Sequence, residues 1–413
     1  MTSHLFLHHF RAFTGLTAVA CPLRRIISRR AHPETSNRWN NPSMDSSPRL
    51  RPFSPDPAAL SQPLPFDVFN HRGVLFSRMG SVLSGQPHAL GRQQLFRAAD
   101  DQDAEGDCAS LDALVERAHE YSRIAAVWGG EARDARRIDD IAQSLILLVR
   151  ANSALCSGMA MHMPIQSHAV RHSFAVAITA VTLGIWLELD DRTLATVTRA
   201  ALTMNVASLA LHDDCATVRG RLEPGRRSDI GGHPLLAARR LMETPGIDVR
   251  WIDAVEQHHE NTDGSGYPYG NSRDDIPLEA RILRVADVWC ALVNPGADRI
   301  LGAPKAILDD MFQRERRRLD DHALCELRKQ FGVHPPGSLV RLANRETALV
   351  TGWTKGAAAP RFVVSILTPS GEIDHRPKVR QTGKQAYGIR GHASFSVNQL
   401  RKVPWGRVWA MTS

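Results

Sequence analysis

The sequence predicts a mainly α protein, with an all-helical central domain at residues 106–332 between two small β-rich modules at 63–105 and 333–413. Three observations predict it. Apolar residues recur three and four positions apart through the middle of the chain, as in Leu111, Leu114 and Ala118, or Ile138, Ile141, Leu145 and Leu148, the period of a helix with one buried face. On either side the apolar runs shorten and are bounded by turn residues, as strands are. At 413 residues the chain is also long enough for two or three domains with a sizeable core.

Residues 1–62 are expected to be a disordered basic leader and linker. The first 60 residues hold eight Arg against three acidic residues, a balance of +5 out of the whole chain's +8. A pI near 9.5 is therefore mostly a property of this tail and weak support for nucleic-acid binding. Its weakly apolar stretch, 12–21, is broken by Thr14, Gly15 and Thr17 and flanked by arginines on both sides, so it reads as a leader rather than an export signal, with Met44 an alternative start. Pro, Ser and Asn dominate 32–62, the composition of an unstructured linker. Short apolar runs at 66–69 and 73–76 around Asn70-His71-Arg72 then predict a hairpin.

Through the centre, helices are expected over 172–187, 193–211, 233–243, 253–259, 278–293 and 305–331, with Pro234 in a first turn. The charge run Arg314–Arg318 is read as a solvated helix face. After Pro335, strands are expected over 338–342, 347–350 and 362–367, and the last ~30 residues look loosely structured. No uninterrupted apolar run approaches the roughly 20 residues of a membrane span. The six cysteines are scattered without a C-x-x-C pair, which fits a reducing compartment. A cytoplasmic protein that binds neither membrane nor nucleic acid is the expectation.

The chemistry concentrates in His258-His259-Glu260-Asn261-Thr262-Asp263-Gly264-Ser265-Gly266-Tyr267-Pro268. Two adjacent imidazoles and a carboxylate suit a divalent transition metal. Gly264 and Gly266 let the backbone turn through positive φ and approach a ligand closely. The string H-H-E-x-x-D-G-x-G-Y-P resembles the signature of the HD-GYP family, helical metal-dependent phosphodiesterases that hydrolyse cyclic di-GMP. The resemblance covers about residues 150–330. It implies metal ligands at His172, in Arg-His-Ser; at His233, before Pro234; at His258 and His259; and at Asp287, in an otherwise apolar run. An aspartate buried there is costly without a cation or donor partner. The resemblance also implies ligand-binding roles for Gly264, Gly266, Tyr267 and Arg299.

The chain departs from the family at the His-Asp pair. Counting back from His233, and forward from Ala200-Ala201-Leu202-Thr203, the pair falls on Met204-Asn205 and the family's following lysine on Ser208. A His212-Asp213 dipeptide lies eight residues beyond Met204, where the family usually has Pro-Asp, and His168 is a further possible donor. The family's Asp-Ala-Leu-Thr-Ser-Asp-Arg-Pro-Tyr-Arg reads here Cys290-Ala291-Leu292-Val293-Asn294-Pro295-Gly296-Ala297-Asp298-Arg299, keeping only the last arginine as a phosphate contact. A thioether suits Fe or Mn poorly and an amide oxygen is neutral. The expectation is therefore an impaired binuclear centre holding at most about one Fe, Mn or Zn ion through His233, His258 and His259. Met204→His with Asn205→Asp is expected to restore a second metal. The protein would act as a cyclic di-GMP sensor or as a docking module through its Gly-Tyr-Pro surface. Two alternatives stay open: an active cyclic di-GMP phosphodiesterase with one metal or with ligands recruited from elsewhere, such as His212, and a plain helical module.

Overall fold

A computed structural model of the chain describes residues 50–53, 68–70, 75–77, 81, 95–98, 103–218, 223–294, 303–354, 359–393, 397–400 and 402–411. Two compact units divide it, one over 14–100 and the other chiefly over 101–413.

In the smaller unit the hairpin expected around Asn70-His71-Arg72 is β2 (Val68–Asn70) paired antiparallel with β3 (Leu75–Ser77). Beyond it, β4 (Leu95–Ala98) pairs with β2 on one side and with β1 (Leu50–Phe53) on the other. β1 falls within the stretch expected to be linker: its Leu-Arg-Pro-Phe text has too little alternation to stand out, and pairing with β4 makes it a strand.

The larger unit is built around α4 (His168–Trp186), fifteen of whose nineteen residues are buried. An apolar surface on all sides makes it a core helix rather than an amphipathic one. Packed on it are α1 (Asp103–Ala126), α2 (Ala132–Ala151), α3 (Ser153–Ala160), α5 (Asp191–Thr203), α6 (Leu209–Thr217), α10 (Leu278–Val293) and α12 (Asp321–Phe331). Between these run α7 (Pro224–Gly231), α8 (His233–Met242), α9 (Val249–Glu256) and α11 (Pro304–Arg314). Among the described residues α4 is by length and composition long and apolar enough to cross a membrane, as is the bent pair α2–α3 if taken as one span, contrary to the expectation from uninterrupted runs; small Ser, Thr and Gly residues hid α4. Its burial among other helices accounts for its composition.

Two predicted helices are each split in two. The 193–211 helix ends at Thr203, turns through 204–207 and restarts after Ser208. Ser208 competes for the backbone here, its Oγ and its N–H both donating to the Asn205 carbonyl, while the Asn205 amide donates to Ser173 Oγ. The 305–331 helix breaks between Arg314 and Asp321, where the Asp320 carboxylate caps the second half through Ala323 N–H. The arginine-rich run thus forms a turn rather than a helix face, and its backbone carbonyls at Arg317 and Arg318 accept hydrogen bonds from Thr262.

C-terminal to the helices, an antiparallel sheet has the order β8 (Val379–Gln381), β7 (Phe362–Leu367), β6 (Thr347–Leu349), β5 (Leu339–Leu342), β9 (Ile389–His392). Leu339, Leu349, Val364 and Ile366 join the helical core, while Val340, Leu342, Ala348, Val350 and Val363 form a second small cluster on the other face. The sheet therefore completes the helical core instead of standing apart. Nor is the C-terminus loose: α13 (Val397–Leu400) is followed by α14 (Trp405–Ala410), which packs on α1 and buries Trp409. The Trp409 ring lies where a side chain on Gly158 would be, and its indole N–H points at Met159 Sδ, 3.2 Å away. Trp409→Ala is expected to destabilise the protein by about 3–5 kcal/mol, the usual range for emptying a large aromatic site. Urea unfolding of the full chain measures it, and a change below about 1 kcal/mol would show the C-terminal helix to be dispensable to the core.

Candidate metal centre

Three histidines are assembled by two helix ends. Asp248 caps α9 by accepting Trp251 N–H, and the helix stops at Glu256, so His258 and His259 fall in the turn that follows. The His258 ring folds back and bonds the Val255 carbonyl through Nδ1 at 2.6 Å, satisfying a carbonyl of the last turn. His233 opens α8 ahead of Pro234, and its Nδ1 bonds the Ile230 carbonyl. A carbonyl only accepts, so each Nδ1 carries the proton and each Nε2 presents a lone pair. The two Nε2 atoms face each other at 3.1 Å. Two neutral rings in these tautomers have no proton to share across that gap, so the arrangement calls for a cation. The ligand atoms of His233, His258 and His259 all lie within 4.8 Å of one another, and all three residues are buried. This donor set fits one divalent transition metal with open positions.

Burial holds these rings neutral, the form that binds metal. It lowers His258 to about 4, and it pushes His233 and His259 well below their ordinary value, helped by neighbouring imidazoles. The Tyr267 ring stacks on His259 at 4.8 Å between centroids.

The other two expected ligands form a second group. His172, one turn into α4, places Nε2 2.8 Å from Asp287 Oδ1. The other oxygen, Oδ2, accepts from the Arg284 guanidinium at 3.3 Å, one turn earlier on α10. Burial pushes the Asp287 carboxyl up, but the hydrogen bond and charge of His172, with Arg284 and His258, outweigh it and hold the group well below the usual carboxylate range. Arg284 NH1 also reaches His259 Nδ1 at 3.0 Å. Arg284 thus links the three-histidine set, at His259, to the His172–Asp287 pair. His172 and Asp287 are not laid out as the three-histidine set is, because the ring donates to the carboxylate and both oxygens have donors. They do not fit a metal as they stand.

The Met204-Asn205 and His212-Asp213 pairs are each divided. Met204 is buried in the apolar core, whereas the Asn205 amide donates to Ser173 Oγ beside His172 at 3.2 Å. Ser208 Oγ bonds His212 Nδ1 at 3.1 Å, in place of a phosphate-facing cation. His212 itself stands edge-on to His233, 4.7 Å between centroids, while Asp213 accepts Ala169 N–H and closes the first turn of α4. The first turn of α6 carries His212 to the imidazole cluster. His168 is held by the Asn294 carbonyl at 3.3 Å.

The rest of the signature string builds a rigid loop. The Glu260 carboxylate accepts the backbone N–H groups of Tyr269 and Gly270, and Asp263 accepts Ser265 N–H. Gly264 has φ +78°, and a Cβ on Gly266 would come within 2.3 Å of the Asn261 nitrogen, so neither position admits a side chain without moving the backbone. Asn261 Oδ1 receives Arg284 Nε at 3.2 Å. Arg299 lies outside the described residues. Sequence reasoning missed Arg284; the signal was a cation three residues before Asp287 in an apolar helix.

The buried histidines predict a pH dependence. In the fold, burial lowers His162, His168 and His258 from an ordinary 6.5 to about 4. Between those values the unfolded chain takes up protons that the fold excludes, so stability is full above about pH 6.5 and falls as the pH drops toward 4. Thermal unfolding of chelator-stripped protein should show Tm level above pH 7 and declining below 6.5. A Tm that rises from pH 7 to 5 would contradict the buried, neutral state of these rings.

The HD domain family matches residues 149–322. A cyclic di-GMP phosphodiesterase of Pseudomonas aeruginosa is 27% identical over 223 residues, covering 54% of this chain and 53% of that protein. The cyclic di-GMP phosphodiesterase response regulator RpfG of Xanthomonas campestris pv. campestris is 32% identical over 159 residues, 38% and 41% of the two chains. The 3'3'-cGAMP-specific phosphodiesterase 3 of Vibrio cholerae is 27% identical over 164 residues, 40% and 35%. The chain spans about half, or less, of the length of these relatives. With the helical scaffold, the His-His pair and the Gly-Tyr-Pro loop together in one place, residues 149–322 match the HD domain family, and their similarity to cyclic di-GMP phosphodiesterases supports the HD-GYP resemblance.

Proposed function

We propose that this chain binds a cyclic dinucleotide of the cyclic di-GMP class at an HD-GYP centre reduced to one divalent transition metal, Fe, Mn or Zn, and serves as a sensor or docking module rather than a fast phosphodiesterase. The observation that carries the reading is the closure of His172 and Asp287 on each other and on Arg284, beside an intact three-histidine set. A metal held by His233, His258 and His259 would polarise a phosphodiester oxygen or a water. The chain's own residues do the rest. Tyr267 is stacked on His259, and the Gly264–Gly266 turn belongs to the same loop. Asn205, where the family's bridging carboxylate falls, brings no negative charge to hold a second dication near the first, and like charges a few Å apart repel strongly at reduced dielectric. Ser208 is turned to His212 and offers phosphate no cation. Next to the Gly-Tyr-Pro turn, Tyr269 is 54% exposed, which suits this surface to a protein partner.

A second reading, a phosphodiesterase with one metal, is favoured by His212 at the edge of His233. Metal content and product analysis separate the two. The expected result is about one metal per chain in the wild type, little or none in His258→Ala, and heat released on titration with cyclic di-GMP without appearance of linear product. Rapid linear-product formation with two metals bound would overturn the sensor reading. Absence of cyclic di-GMP binding, with and without metal, would overturn the nucleotide assignment.

A further inference from the structure

We infer that the Arg284 guanidinium stands in the place of the second metal, as a cation built into the chain that also competes with the remaining metal for His259. The inference deepens the one-metal reading above and rests on the same centre. Arg284 is 5% exposed, so its charge is withdrawn from water and needs partners. An arginine three residues before an aspartate on one helix is ordinarily a local ion pair. Here the same NH1 that meets Asp287 Oδ2 at 3.3 Å meets His259 Nδ1 at 3.0 Å, so one nitrogen touches an expected ligand atom from each of the two metal sites. Nε is fixed separately by Asn261 Oδ1, from the signature loop, at 3.2 Å. A planar guanidinium held along two edges does not swing aside as a lysine ammonium can.

The consequence for metal binding follows from donors and acceptors. Arginine only donates, so His259 Nδ1 accepts and the neutral ring keeps its proton on Nε2. His233 and His258 already present bare Nε2 atoms. His259 can join them only by giving up the Arg284 bond, so that Nδ1, or Nε2 once the proton has moved to Nδ1, offers a lone pair. The positive charge a few Å away opposes a dication as well. Asp287 meanwhile has its negative charge matched by Arg284 and both oxygens supplied with donors, so it presents no vacant anionic ligand. Restoring the family's pair at Met204 and Asn205 is then not enough to restore the second metal, which revises the expectation from sequence.

The test is a titration of chelator-stripped full-length protein with Mn²⁺ and with Zn²⁺, in the absence of nucleotide. It therefore stands whether or not the pocket takes a cyclic dinucleotide. Arg284→Met should bind its single metal at least tenfold more tightly than wild type, and Arg284→Lys, which keeps the charge, should stay within about threefold of it. By elemental analysis, Met204→His/Asn205→Asp should still carry one metal, and the same pair with Arg284→Met should carry two. Should Arg284→Met fail to fold by circular dichroism, Arg284→Gln, neutral and able to donate to Asp287, replaces it with the same expectation. Unchanged metal affinity in the neutral variant, or two metals in Met204→His/Asn205→Asp with Arg284 in place, would overturn the inference and leave Arg284 a structural ion pair.

Discussion

A negative charge buried between apolar helices organises this centre. Asp287 lies on α10 where that helix packs against α4, among residues that offer it no water. A carboxylate in such a place needs cations or donors, since leaving it unpaired costs several kcal/mol. The family resemblance implies a dication in that role. In this chain His172 takes one oxygen and Arg284 the other, and the neighbouring helices close over a charge that is already neutralised. The three-histidine set beside it follows the opposite logic. Two of its rings, His233 and His258, are oriented by backbone carbonyls and leave lone pairs pointing at each other, a geometry that makes sense only with a cation between them.

The signature loop connects the two. Its carboxylates are spent on backbone N–H groups rather than on metal: Glu260 on Tyr269 and Gly270, Asp263 on Ser265. Thr262 is clamped from outside by the turn at Arg317 and Arg318. The loop consequently holds Tyr267 against His259 and Asn261 against Arg284. Retention of the Gly-Tyr-Pro text is thus compatible with an altered metal count, because most of that text builds the loop and only its first two histidines offer metal ligands.

The same economy runs through the scaffold. α4 is largely buried along its length, and helices from both before and after it in sequence converge on it. The C-terminal sheet lends one face to that core and closes its other face over a separate apolar cluster. His162 Nε2 on the Gly337 carbonyl and Trp353 on Ser153 join the sheet to the helices by polar contacts as well.

Much of this was legible in the residues alone. Local period and turn chemistry sufficed for the helical centre, for α10 at its observed limits, for β7 and for the β2–β3 hairpin, because those elements are determined by neighbours a few positions away. The string from His258 to Pro268 was legible for the same reason, since its chemistry is contiguous. Long-range contact decided the rest. The breaks at Met204–Ser208 and Arg314–Asp321 depend on partners such as Ser173 and Thr262 that lie far away in sequence. β8, β9 and Trp409 acquire their structure from the strands and helices on which they pair and pack. The division of Met204-Asn205 and His212-Asp213 between core, helix cap and imidazole cluster turns on which face of a turn each side chain leaves from. Above all, the sequence by itself determined that a cation or donor must meet Asp287 but not which one: it offered Arg284 three residues away, His259 on the signature loop, and His172 115 residues away. Only the tertiary packing, by bringing His259 and Asp287 to the same guanidinium nitrogen, decided that arginine fills the role.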